Sequence, residues 1–384
     1  MMLTEQQHAI KRMVAEFASR ELADAAFKVE SEDQYQARLR KLGAQGLLGM
    51  TAPVEHGGGG LSYFDAVLAV EEMAKYDPRS AAEMHTNGTG TASHLWVLGT
   101  PDQQERWLRP ICEGRMRCAI AMTEPEAGSA ATEMTTTARL TPDGSAYCLN
   151  GGKIFISGGK HADVFITYAR FGTADEGGRS IGALVVEKDT PGFSIVRNDH
   201  NMADEDQAQL LFDDCRVPAE NVLVTGNAFG RLIRIYNRNR LSGVAQALGM
   251  ATASYDDALR HVQVRRQFGR ELADFQGLQW MLADMAIQLN ACRATLYQAA
   301  LSERDGELDP LQVSMAKVFI AETCVKVCDM AIQLFGGYGY MAEAPVNQRY
   351  RRVRGTAIYG GTMQIHRNMI AARVLGRRND QRSR

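Results

Sequence analysis

Paired cysteine motifs, long apolar runs and an excess of charge of one sign are all missing from this sequence, and each absence removes a class of function. The 384 residues include seven cysteines: Cys112, Cys118, Cys148, Cys215, Cys292, Cys324 and Cys328. Their number is odd, none has CxxC spacing, and no histidine pair or carboxylate cluster accompanies them. A disulfide framework or zinc site is therefore not expected, and buried free thiols in a reducing compartment are. Cys324 and Cys328 would share one face of a helix. No run of about 18 apolar residues occurs, so no membrane span is expected. Met1 to Arg20 is charged throughout and lacks the apolar stretch of a secretory signal, which points to the cytoplasm. The net charge of −2 gives no general attraction to nucleic acid or anionic membrane. Arginines gather late, at Arg349, Arg351, Arg352, Arg354 and from Arg377 to Arg384, which reads as a solvated face and a frayed end. There is no GxGxxG after a strand, no Walker loop, no GxSxG and no HExxH, so a nucleotide cofactor would have to bind without a Rossmann crevice.

What is present falls into three zones, with a length suited to two or three domains. Residues 1–117 read as a helical domain. Ile10, Met13, Val14 and Phe17 recur at helical spacing behind the capping residue Thr4, and Ser62 to Lys75 gives a second helix burying Val67, Leu68, Val70 and Met73. The intervening loop Gly57 to Gly60 is explained by turn geometry without a ligand. Glu83, His85 and Asn87 interrupt a helical stretch, either as a partly exposed face or as the polar lining of a cavity. Residues 118–225 switch to short β-rich runs, among them Val164 to Ala169, Ile181 to Val186 and Gln209 to Phe212, with turns at Pro142-Asp143-Gly144 and Asn150-Gly151-Gly152. With no helical crossovers, an antiparallel barrel-like domain is expected. Residues 226–384 return to helix. Phe275 to Leu301 carries Leu278, Met281, Leu282, Met285 and Leu289 on one stripe, and Gln312 to Leu334 is another long helix, as in a bundle. The expected class is a multi-domain α+β chain: a helical domain, a middle antiparallel β-barrel and a C-terminal four-helix bundle.

Five segments, in order along nearly the whole chain, resemble the acyl-CoA dehydrogenase family. They are Met122-Thr123-Glu124-Pro125-Glu126-Ala127-Gly128-Ser129, Phe155-Ile156-Ser157-Gly158-Gly159, Arg265-Arg266-Gln267-Phe268-Gly269, Gln333-Leu334-Phe335-Gly336-Gly337-Tyr338-Gly339, and Ile358-Tyr359-Gly360-Gly361-Thr362-Met363-Gln364-Ile365. The resemblance implies FAD, with its ring near Met122, Thr123, Phe155 and Ser157. It implies that Arg265, Phe268, Gln333, Gly337, Thr362 and Gln364 hold the adenosine diphosphate, some of them from a neighbouring subunit. An acyl-CoA substrate would meet Ser129, Tyr236, Arg240 and Tyr359. The family resemblance also implies a homotetramer, a dimer of dimers, and an electron-transfer flavoprotein as partner if the enzyme is a dehydrogenase.

The departures carry as much information as the matches. Desaturation in this family needs a carboxylate to remove the α-proton. The usual position is Gly360 here, and the second position used by some members is Asn239. The aspartate expected three residues before Arg240 is Asn237, the family's aspartate near Arg351 is Arg352, and its tryptophan is Phe155. A subgroup without either base is similar: the 3-sulfinopropionyl-CoA desulfinases, on Gly128 to Thr136, Phe275 to Met281 and Gly360-Gly361-Thr362. That chemistry breaks a carbon–sulfur bond without net redox change. The cation its acyl end needs is sought at Arg79, a few residues ahead of the family position. Four readings stay open: such a redox-neutral elimination, a dehydrogenase whose base has moved to Glu83 or His85, a carrier-protein thioester enzyme or flavin monooxygenase on the same scaffold, and a flavin-binding remnant.

Overall fold

The computed structural model describes residues 2–23, 26–304 and 306–377; the basic tail from 378 to 384 lies outside the described residues. The chain forms two compact units, each gathered from separated stretches of sequence. One comprises Met1–Glu30, Ser62–Ala82 and Arg240–Arg384, the other Ser31–Leu61 and Glu83–Asn239.

The first unit is helical. Thr4 caps the helix Glu5–Glu21 in a reciprocal capping box with Gln7, and the helix buries Val14, Phe17 and Ala18. Of the stripe read from the sequence, Met13 stays 38% exposed. The helix Tyr63–Tyr76 starts where Ser62 Oγ accepts the Asp65 amide at 3.1 Å. It is buried on nearly every side, from Tyr63 to Ala74, including Glu71 and Glu72. A helix apolar all round must be enclosed by others, and it packs against both Glu5–Glu21 and Gln276–Ala300. Its buried Glu71 accepts from Arg293 Nε at 2.8 Å and from the Tyr297 hydroxyl at 2.9 Å. Pro310–Phe335 opens with Asp309 as its cap and Pro310 in its first turn. It packs against Gln276–Ala300, Pro345–Gly355 and Met363–Val374, which places it centrally and buries Val313, Lys317, Ile320, Cys324 and Cys328 along one stripe. The long helix Phe229–Val264 contributes its residues from Arg240 onward.

The second unit is built on one eight-stranded sheet: β1 (Cys118–Ala121), β2 (Thr137–Leu140), β3 (Ala146–Ser157), β4 (Val164–Arg170), β5 (Ile181–Glu187), β6 (Phe193–His200), β7 (Asp206–Pro218) and β8 (Val222–Val224). The strand order is β6-β7-β3-β2-β4-β5-β8, with β1 beside β4. Most ladders are antiparallel, as expected, but β1 and β2 both run parallel to β4. The β2–β3 hairpin supplies the return that a crossover helix would otherwise make. β4 is buried throughout, and its side chains alternate between two cores. Val164, Ile166 and Tyr168 join Trp107, Leu108 and Leu95 on one face. Phe165 and Ala169 join Leu184, Val186 and Phe212 on the other. This two-residue alternation is the strand pleat with both faces covered. Among the described residues, no helix is long and apolar enough to cross a membrane.

The stretch around His85 differs from the exposed-face expectation. Residues Met84–Thr89 form a π-helical turn directly after the helix Pro78–Glu83. Glu83 is 6% and Asn87 1% exposed, so two of the three polar side chains point inward, and only His85 is half-buried. A π-turn inserts a residue into the helical ladder and shifts the following side chains around the axis. Simple 3.6-residue spacing therefore misplaces them.

Candidate functional site

In the sheet unit, the Met122–Ser129 segment and the end of β3 are held together by a buried ion pair. Lys153 Nζ, fully buried, donates to Glu124 Oε1 at 2.8 Å and to the Met122 carbonyl at 3.1 Å. Glu124 also accepts from the amides of Thr135 at 2.6 Å and Thr136 at 3.0 Å. Burial raises its carboxyl, but Lys153 and these donors outweigh burial and hold it at about 2. The Ile154 amide donates to the Thr123 carbonyl at 2.9 Å. Phe155 adopts a left-handed φ of 57° and is 65% exposed, an uncommon conformation for a bulky residue. Ser157 Oγ donates to Gln207 Oε1 at 3.2 Å. Met122, Thr123, Phe155 and Ser157, the residues expected around a flavin ring, thus lie on one strand end and the segment tied to it. Ser129 is exposed beyond them in the same segment.

Glu83 belongs to the support of that strand end. Its Oε2 accepts from Arg117 Nε at 2.9 Å and Asn87 Nδ2 at 2.9 Å, and its Oε1 accepts from the Tyr35 hydroxyl at 3.2 Å. Burial raises its carboxyl, but Arg117 and Arg38 outweigh burial and keep it below the usual range. Arg117 in turn donates to the Gly158 carbonyl at 2.6 Å. Gly158 has φ +62°, and a β-carbon there would collide with Arg117 Nη2. Three donors already occupy this carboxylate and hold it ionised, which lowers its basicity. Arg79 likewise is engaged. Its Nε pairs with the fully buried Asp77 at 3.3 Å, and its Nη1 lies 3.6 Å from Glu30 and donates to the Lys28 carbonyl at 2.9 Å. With its charge already balanced, it is a poor anchor for an anionic acyl end.

Asn239, expected from the sequence resemblance at a second base position, is buried and donates to Thr91 Oγ1 at 3.2 Å. A β-carbon on Gly90 would collide with its Oδ1, so the glycine makes room for this amide. Tyr236 is half-buried and Asn237 buried on the same turn of helix.

In the helical unit, a cavity of about 750 Å³ is lined by His261, Arg265, Leu278, Gln333, Gly337 and Tyr338 among others. It brings together Arg265, Gln333 and Gly337, three of the residues expected to hold an adenosine diphosphate. The Arg265 guanidinium lies over the Tyr338 ring at 5.7 Å. A β-carbon at Gly336 or Gly337 would meet no atom within 4 Å, so backbone is open to a ligand there. Phe268 is 94% exposed with φ +50° at the tip of the short hairpin Arg266–Gln267/Arg270–Glu271. Gln364 is exposed, and Thr362 caps Met363–Val374 through the Ile365 amide at 3.3 Å.

Gly360, the position at which the sequence resemblance leads one to expect a glutamate, is surrounded by basic side chains. Gly360 has φ +71°. Its carbonyl accepts from Arg240 Nε at 2.8 Å and from His366 Nε2 at 3.2 Å. Because a carbonyl only accepts, His366 carries its proton on Nε2; its Nδ1 is buried with no partner among the described residues. Lys317 is fully buried, donates to the Thr356 carbonyl at 2.8 Å and sits 4.7 Å from the Tyr359 ring centre. Burial, then Arg240, pushes Lys317 down to about 7; burial, then Arg240 and Lys317, pushes His366 down to about 3. Neither Lys317 nor His366 was singled out from the sequence. A signal existed for the lysine: it shares the buried stripe with Val313, Ile320 and Cys324.

Family models for the N-terminal, middle and C-terminal domains of acyl-CoA dehydrogenase match residues 4–115, 119–215 and 229–375. The chain belongs to the acyl-CoA dehydrogenase family. It is 37% identical over 379 residues to an acryloyl-CoA reductase (NADH) of Anaerotignum propionicum, covering 98% of this chain and 96% of that one. It is 35% identical over 389 residues to a 3-sulfinopropanoyl-CoA desulfinase of Paraburkholderia xenovorans, covering 99% and 98%. Among solved structures, butyryl-CoA dehydrogenase from Megasphaera elsdenii superposes with a TM-score of 0.90 at 32% identity, covering 98% and 99%. The protein is therefore an FAD-dependent enzyme of this family acting on acyl-CoA thioesters. The residues present fit FAD: an exposed arginine and open glycine backbone suit a pyrophosphate, and the tethered Met122–Thr123 segment offers backbone and hydroxyl groups to a ring.

Proposed function

We propose that this enzyme acts on a short, polar acyl-CoA thioester and catalyses a redox-neutral elimination of the desulfinase type. The observation that carries this reading is Gly360: where α-proton abstraction needs a carboxylate, the backbone carries no side chain and its neighbours are Arg240, Lys317 and His366. Asn239, the second position, cannot take a proton either. The likeness to a 3-sulfinopropanoyl-CoA desulfinase supports the same class. The overall balance is R–CH2–SO2⁻ + H2O → R–CH3 + HSO3⁻. The carbon–sulfur bond breaks, carbon gains a proton, water supplies the oxygen, and no external oxidant or reductant enters. FAD would supply an electron-accepting ring beside the acyl group. Lys153 and Glu124 would hold the Met122–Thr123 backbone facing that ring, and Arg117 would fix the strand end carrying Phe155 and Ser157. Arg265, Gln333 and Gly337 would hold the cofactor's diphosphate, with Phe268, Thr362 and Gln364 completing it across subunits of a homotetramer. Ser129, Tyr236, Arg240 and Tyr359 would bind the CoA thioester. Domain limits at 117/118 and 225/226 accompany this reading.

The test mixes the FAD-loaded protein anaerobically with short acyl-CoAs, including 3-sulfinopropanoyl-CoA, while flavin absorbance and free sulfite are followed. Sulfite without lasting bleaching is the expected result. Bleaching by a saturated thioester would instead favour a second reading, desaturation with the base moved to His85, the half-buried member of the π-helical turn. An electron-transfer flavoprotein would then be the partner.

A further inference from the structure

We propose that His261 is a further residue of the cofactor site: it takes up one proton from solvent when the diphosphate of FAD enters the cavity beside Arg265, so that cofactor binding is coupled to proton uptake. The inference rests on the placement of the diphosphate in this cavity under the reading above, and it adds a residue that the family resemblance did not supply.

The cavity of about 750 Å³ has both side chains in its wall. Arg265 follows the last turn of the helix Phe229–Val264, and its amide still donates to the His261 carbonyl at 2.9 Å. The two residues are therefore one helical turn apart and share a face. Among the described residues, no aspartate or glutamate lines this cavity. A diphosphate joining two groups carries two negative charges near neutrality, and Arg265 balances one of them. His261 is the other group in the wall that can become a cation; the rest are glutamines, glycines, apolar side chains and Tyr338.

The imidazole is set in place beforehand. It stacks on Phe335, with ring centroids 4.3 Å apart and planes 17° from parallel, and among the described residues it makes no hydrogen bond. A stacked ring has little freedom left to lose on meeting a ligand, and an imidazolium over an aromatic face is favoured by the ring's quadrupole. In the protein alone, burial and then Arg265 disfavour the proton and hold the imidazole below its ordinary range; Arg265 is the one charged group acting on it among the described residues. An anion in the same cavity reverses the second effect, because it offsets the charge of Arg265 and pairs with the imidazolium. No covalent bond to carbon, phosphorus or oxygen changes; one proton moves from solvent to the free ring nitrogen.

The experiment titrates FAD into the full chain stripped of its flavin, by calorimetry at pH 7 in PIPES and in Tris, whose ionisation enthalpies differ. The difference in heat counts the protons taken up. The wild type is expected to take up about half a proton or more per FAD, and its affinity to rise by up to about tenfold per unit as pH falls from 8 to 6. His261→Gln is expected to lose that uptake and flatten the pH dependence. His261→Phe, which keeps a ring on Phe335, is expected to do the same, so the test survives if the glutamine variant fails to fold. No proton uptake in the wild type, or the wild-type count in a folded variant, overturns the inference. Arg265→Ala separates this failure from that of the cavity reading. If it leaves FAD affinity unchanged, the diphosphate does not lie here and both fall; if it weakens FAD while the His261 variants keep the proton count, only the role of His261 falls.

Discussion

Glu83 and Arg117 form a buried ion pair at 2.9 Å, with side-chain exposures of 8% and 7%, and the arginine passes that constraint on to the Gly158 carbonyl. Removing the charge by Glu83→Gln leaves a guanidinium buried against an amide. Breaking a buried pair from one side costs about 3–5 kcal/mol, so the variant should melt several degrees lower and retain FAD less well. If the carboxylate acts only as a support, activity per bound FAD should stay close to that of the wild type. A variant with normal stability and flavin content but no turnover would restore Glu83 as a catalytic residue.

The Gly360→Glu substitution should change the chemistry. A left-handed φ of +71° costs a non-glycine residue about 1–2 kcal/mol, and pairing with Lys317 offsets part of it. The new carboxylate should let a saturated short acyl-CoA bleach the flavin under anaerobic conditions, while sulfite release declines. Stopped-flow absorbance on both reactions checks the exchange. No bleaching with butyryl-CoA in a folded, FAD-loaded variant would mean that the base needs more than this one position.

Much of this architecture can be read locally. Thr4 and Ser62 mark helix starts because their side chains satisfy amides two or three residues on, and Val164 to Ala169 reads as a strand because β-branched and aromatic residues run without a breaker. Two of the motif segments meet: Arg265, Gln333 and Gly337 line one cavity despite their separation in sequence. What escapes local reading depends on partners far away. Glu83 is 48 residues from Tyr35 and 34 from Arg117, and nothing near it in the sequence announces that its charge is already used. The same holds for Arg79 and Glu30. Helix Tyr63–Tyr76 is apolar enough to be enclosed, but periodicity does not say that its enclosure comes from the helix Gln276–Ala300. Lys317 is the opposite case, a charge on an otherwise apolar stripe, visible to anyone who asks why it is there.

Arg265→Ala should loosen the cofactor. A charge-assisted hydrogen bond to phosphate is worth about 1.5–3 kcal/mol, so FAD affinity should fall about ten- to hundredfold, measured by equilibrium titration of the apoprotein. Arg265→Lys should recover part of the loss, because it restores the charge but not the planar fork. High salt should weaken the wild type more than the alanine variant. Unchanged affinity in Arg265→Ala would remove this cavity from the cofactor site.

Stability should rise with pH on both sides of neutrality and fall only above about pH 9. His94 and His366 are pushed down to about 4 and about 3, chiefly by burial. His94 donates from Nδ1 to the Thr91 carbonyl and accepts the Tyr168 hydroxyl proton at Nε2, each at 2.9 Å. As pH falls below about 6.5, the unfolded chain takes up protons that these folded imidazoles refuse, so stability declines toward pH 4. Lys317 works above neutrality. Its folded value near 7 lies below the ordinary lysine value of about 10.4, so the unfolded state binds the extra proton and stability rises with pH from 7 upward. Lys153, lowered to about 8 by burial, adds to that rise near its end. Above about pH 9 the sense reverses, because the buried thiols Cys112, Cys118, Cys215 and Cys328 are raised to about 12 and stay protonated when folded. The clean window for Lys317 is therefore pH 7 to 9. Denaturant titrations at pH 7, 8 and 9 should show the wild type gaining stability relative to Lys317→Met by about 1 kcal/mol per pH unit. Parallel curves would mean that the buried lysine keeps its ordinary proton affinity in the folded protein, and that burial beside Arg240 does not perturb it.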